Sequence, residues 1–117
     1  MLTPFTLKCG HIYKSHKQAM KATIKKPEEI PVLREGGRRL ARIMQEVARS
    51  ALPGVSTATL DELAEKLARD GGDIPILLGY KPWSAKRAFP ASICISVNNE
   101  VVHGIPNEDP HMLKEGD

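Results

Sequence analysis

Hydrophobic positions change their period along this chain. Ile30, Leu33, Gly37, Leu40, Met44, Val47 and Ala51 recur at alternating spacings of three and four, the stripe of an amphipathic helix. Pro27 suits a first helical position, and Glu28 and Glu29 suit the positive end of the helix dipole. Pro31, one turn later, offers an alternative start. Gly37 lies on the stripe, where it costs helix propensity but allows close approach of another backbone. Leu52-Pro53-Gly54 breaks this helix. A second follows, with Leu60, Leu63, Ala64, Leu67 and Ala68 on one face. Thr59-Leu60-Asp61-Glu62 has the spacing of a capping box, and Gly71-Gly72 supplies the stop. Then the period falls to two. Ile93, Ile95 and Val97 alternate with Ser92, Cys94 and Ser96, a half-buried strand. Asn98-Asn99 suits a tight turn, Val101-Val102 restarts the strand, and Gly104 and Pro106 end it. The pattern predicts an α+β unit: two helices, then a β-hairpin, with the helices packed on one sheet face.

Between the second helix and the hairpin, residues 73–90 form a long, proline-punctuated connection. It carries Tyr80, Trp83 and Phe89, three of the five aromatic residues. Connections of this length in compact domains are often functional.

At 117 residues the chain is one domain at most, and 41% hydrophobic content fits a globular protein rather than a disordered one. No apolar run approaches the roughly 20 residues that span a bilayer. The first ten residues lack an apolar signal core. Cys9 and Cys94, far apart in unlike contexts, read as reduced thiols of a cytoplasmic protein. Charge is uneven. Residues 1–27 hold six lysines and no acid, while the remainder carries net −3, giving +3 in all. Residues 1–23 are therefore read as a basic, flexible leader, with Met20 as an alternative natural start, and residues 24–117 as the folded portion. The leader is either a solvated tail or a weak contact for RNA phosphates, such as those of a ribosome. Within it Cys9, His11 and His16 offer three irregularly spaced ligands where a structural zinc site has four, and they are read as unstructured.

On residue types alone the chemistry stays open. His103, at a strand end beside glycine, is on residue type more often structural than functional. Tyr80, Trp83 and Phe89 either cover a sheet or line a pocket. Glu108, Asp109 and His111 are interrupted by Pro110 and read as a solvated turn. There is no glycine-rich phosphate loop, no Gly-x-Ser-x-Gly and no His-Glu-x-x-His.

The ordered blocks carry more. Val101-Val102-His103-Gly104-Ile105-Pro106, preceded by Ser92 to Asn98, resembles the substrate-histidine segment of type I methionine aminopeptidases, the pita-bread metallopeptidases of family M24. The resemblance extends back through Leu78-Gly79-Tyr80, Leu52 to Thr57 and Ile24 to Ile30, and forward through Leu113 to Asp117. It implies the amino-terminal half of a pita-bread fold, truncated before the metal ligands. It implies removal of N-terminal methionine from nascent chains with two divalent ions (Co, Mn, Fe, Zn or Ni) in the full-length enzyme. No ligand of that metal centre is expected in this chain, so the chain alone is expected to be inactive. By match of position, His103 is the catalytic substrate histidine, and Tyr80, Phe89 and Cys94 line the pocket for the first side chain. Leu77 and Val102 stand where cysteine is frequent, and residues 81–88 are longer than usual, so Trp83 has no counterpart. The implied full-length enzyme is a cytoplasmic monomer without membrane contact, with transient ribosome contact expected. Two alternatives stand beside this reading: a non-enzymatic pita-bread relative binding RNA or protein, and another aminopeptidase of the fold, such as a proline-specific one.

Overall fold

A computed structural model describes residues 23–117. Apart from Thr23, the expected leader lies outside the described residues, and with it Met20, Cys9, His11 and His16. Two helices form: α1 over Glu29–Ser50 and α2 over Thr57–Asp70. α1 starts between its two expected positions. Its cap residue Glu28 makes no side-chain capping bond. Instead the Glu29 carboxylate turns back and accepts the Lys26 amide at 2.7 Å. Pro31 falls in the first turn, where an amide has no intrahelical partner to lose.

α2 starts earlier than the capping-box spacing implied. Ser56, in extended conformation, is the N-cap, and its Oγ accepts the Thr59 amide at 3.1 Å. Thr59 is thus the third helical residue rather than the cap. Its far end ends as the glycine pair predicted, with Gly72 at φ +75°.

Val47, Leu60 and Ala64 form the buried centre, with Ile43, Val55, Leu63, Ile93, Ile95 and Leu113 packed around them. Leu113 arrives there because residues 54–57 pair with residues 111–113. Gly54 donates to Leu113 O at 2.7 Å, Leu113 to Val55 O at 2.9 Å and Thr57 to His111 O at 2.9 Å. At its middle α1 is tied to the end of α2 by Arg39, whose Nε donates to Asp73 at 2.9 Å.

Two expectations are corrected. The α1 stripe is buried only at Val47; Ile30, Leu33, Leu40 and Met44 are 40–60% exposed. Nothing lies within 4 Å of a Cβ placed on Gly37, so no backbone approaches there. The reason is length. α1 runs about 33 Å and α2 about 21 Å at 1.5 Å per residue; no other described helix covers the first half of α1, where Ile30 and Leu33 lie, while Leu40 and Met44 line an open groove with Ile74 and Ile76. The second correction concerns the hairpin: among the described residues no strand forms, only an isolated antiparallel bridge between Ser56 and Met112. The expected turn does form, with Asn98 at φ +53° and the Glu100 amide on Val97 O at 3.1 Å. A two-residue turn there would place Val102 opposite Ile95. Instead Ile95 donates to Gly104 O at 3.1 Å. Residues 101–103 loop out, with Val101 90% exposed, and the ladder does not propagate. No helix among the described residues is long and apolar enough to cross a membrane.

Candidate functional site

The segment that carries the candidate residues is held at both ends by one face of α2. Thr57 and Asp61 are four residues apart, so their side chains project from the same side of the helix. Asp61, buried, accepts the Ser92 amide at 2.8 Å and the Ile93 amide at 3.0 Å. Thr57, also buried, donates its hydroxyl to Pro106 O at 3.0 Å and accepts the His111 amide at 3.0 Å. A polar group so buried is normally satisfied, and orphaning one costs about 1–3 kcal/mol. The 15 residues from Ser92 to Pro106 thus begin and end on about one turn of helix.

Between those anchors the alternation read from sequence survives locally. Ile93 and Ile95 enter the core, and Cys94 faces the other way, exposed. The return arm approaches so closely that a Cβ on Gly104 would stand 2.0 Å from Ile95 O; only glycine fits. The residue before it, His103, takes φ +57°, a left-handed conformation uncommon for a residue with a Cβ. That conformation brings His103 Nδ1 to 3.7 Å from Cys94 Sγ and leaves Nε2 on the opposite side of the ring.

The third contributor is the loop over residues 80–89. Its ends are stapled: Gly79 donates to Phe89 O at 2.9 Å and Phe89 to Tyr80 O at 2.8 Å. This is a compact loop with closed ends. Tyr80 and Phe89 from its base, Cys94 from the first arm and His103 from the second line one cavity of about 400 Å³. All four residues singled out in the sequence are therefore brought together. Sequence reasoning left out further lining residues, Ile105, Pro82, Ala85, Arg87 and Ala88, had Pro90 only as the partner of Phe89 in an aromatic-proline pair, and had noted Leu77 only as a departure. Ile105 stood in the quoted His-Gly-Ile-Pro block and was available. Residues 82–88 show no hydrophobic period, and their contact with the far wall, Arg87 to Glu108, spans 21 residues. Trp83 projects from it, 92% exposed, and is absent from the lining.

The residues of the solvated turn do not converge. Glu108 pairs with Arg87, and His111 Nε2 meets Asp117 Oδ2 at 3.0 Å. Among the described residues no three His, Cys, Asp or Glu side chains are grouped to hold a metal ion. The two-ion site implied by the resemblance therefore does not fit these residues.

The pattern of metallopeptidase family M24 matches residues 32–117, from inside α1 through every residue of the pocket. The chain belongs to this family. Among M24 relatives, methionine aminopeptidase 1 of Bacillus subtilis is 42% identical over 80% of this chain and 34% of its own length. The methionine aminopeptidase of Aquifex aeolicus is 42% identical over 76% of the chain and 34% of its own. That of Escherichia coli K12 is 36% identical over 84% and 35%. The chain spans about a third of the length of these M24 relatives. No solved structure matches it.

Proposed function

We propose that this chain forms the substrate-pocket portion of a pita-bread methionine aminopeptidase, releasing N-terminal methionine from nascent proteins. The observation that carries this is the convergence of Tyr80, Phe89, Cys94 and His103 on one largely apolar cavity, in a chain of family M24. Its volume lies at the small end of ligand pockets, in keeping with one unbranched side chain. Tyr80, Phe89 and Cys94 hold the methionine side chain. His103, its Nδ1 side turned to Cys94, offers Nε2 to the scissile amide, where it donates a hydrogen bond or moves a proton as the tetrahedral centre forms. The divalent ions of the family are held by residues of a longer protein outside those described. The enzyme is cytoplasmic and monomeric.

His103→Ala tests this reading in a protein of the relatives' full length. Release of methionine from a Met-Ala-Ser peptide should fall in kcat by about 10²–10⁴, the range of a positioned acid–base group, with metal content and melting temperature near those of the parent. Unfolding, or loss of metal along with activity, would assign His103 a structural role. Cleavage of Xaa-Pro peptides in preference to Met-Ala-Ser would move the substrate to the proline-specific class.

A further inference from the structure

We propose that Arg87 and Glu108 form a clasp that fixes the width of this pocket and so sets which N-terminal side chain it admits; the selectivity half rests on the methionine reading above. The pocket has two long walls. One is the loop over residues 82–88, contributing Pro82, Ala85 and Arg87; the other is the return arm, contributing His103 and Ile105. The loop is stapled only at its base, Gly79 and Tyr80 to Phe89. From residues 82–88, the single hydrogen-bonded contact to the rest of the described residues is Arg87 with Glu108.

Glu108 stands in the turn that immediately follows Ile105, its amide on Ile105 O at 3.4 Å. Its carboxylate receives two guanidinium bonds, Nη1 to Oε1 and Nη2 to Oε2, the latter at 2.6 Å. This two-pronged geometry fixes direction as well as distance. One residue earlier, Asn107 Nδ2 donates to Pro90 O at 2.7 Å, so the same turn is also tied to the chain just past the base of the loop. The Arg87 hydrogen bond also holds the Glu108 carboxyl below its ordinary range, keeping it charged.

The pair joins the free side of one wall to the foot of the other. Both side chains are partly in solvent, 62% and 36% exposed, so the clasp is of a strength that neutralising one partner or adding salt can undo. These are positioning residues: they act on the substrate through the wall they hold.

The test uses the full-length protein with Glu108→Gln, Arg87→Gln and the reversed pair Arg87→Glu with Glu108→Arg. Two readouts are followed. The first is the rate of chymotryptic nicking after the exposed Trp83, read by mass spectrometry, which reports loop opening without reference to activity. The second is the ratio of kcat/KM for Met-Ala-Ser over Phe-Ala-Ser. Each single variant should be nicked faster and lose up to about fivefold of its preference for methionine, the ceiling for an exposed ion pair. The reversed pair should restore both. Unchanged nicking in both single variants, or no restoration on reversal, overturns the clasp. Faster nicking with unchanged preference overturns the selectivity half. A parent protein that releases no methionine overturns the functional reading and with it selectivity, while nicking still decides the clasp.

Discussion

Gly104 and His103 show how little freedom single residues have here. With Ile95 O only 2.0 Å from a Cβ on Gly104, Gly104→Ala must push the two arms apart. Overpacking of this kind costs about 1–3 kcal/mol. It also displaces His103, and a misplacement of about 1 Å can cost on the order of 10² in rate. Gly104→Ala should therefore lower both the urea midpoint and kcat. Gly36→Ala is the control: it lies in α1 with nothing within 4 Å. There the gain in helix propensity, about 1 kcal/mol, should raise the midpoint. None of this could be read from sequence. Gly104 was visible as a breaker of pairing, but not as a contact, since its neighbour Ile95 is set by an arm offset that no local pattern encodes.

The helices were legible because periodicity is written within each segment; their edges were less so. Thr59 and Glu62 had the spacing of a cap, yet Ser56 took the role, because Thr57 is drawn into pairing with His111. Asp61 looked like part of that cap and instead anchors Ser92 and Ile93. The hairpin was half legible: its turn formed, and its ladder did not. The four pocket residues were legible only through the family resemblance; by residue type His103 was indistinct from a structural histidine. The last segment of the chain lends itself to a pH test. Asp117 accepts Asn98 Nδ2 at 2.9 Å and the Lys114 amide at 2.8 Å, and meets His111. These bonds, that from Asn98 foremost, pull its carboxyl from 3.8 to about 2. A depressed folded-state value means the stabilisation is full above 3.8 and is lost as pH falls through about 2. Asp117→Asn should therefore flatten the acid-unfolding curve across that window relative to the parent, as followed by circular dichroism.

At the scale of the whole molecule, the open stripe of α1 dominates. Ile30 and Leu33 stand exposed, and Leu40 and Met44 line an open groove with Ile74 and Ile76; exposed apolar surface of this kind promotes association. Domain stability is only about 5–15 kcal/mol, so a core centred on Val47, Leu60 and Ala64 leaves little margin. The 117-residue chain alone should melt broadly, associate with rising concentration in sedimentation, and release no methionine from Met-Ala-Ser with Co²⁺ or Mn²⁺ added. A sharp monomeric melt would refute the first part, and metal-dependent release the second. One consequence follows from the anchoring of the pocket segment on α2. The amide protons of Ser92, Ile93 and His111 are each held by a side chain of that helix rather than by a neighbouring strand. They can exchange with solvent only when the segment lifts off α2, so their protection reads out how firmly the arms that carry Cys94 and His103 are attached to that helix.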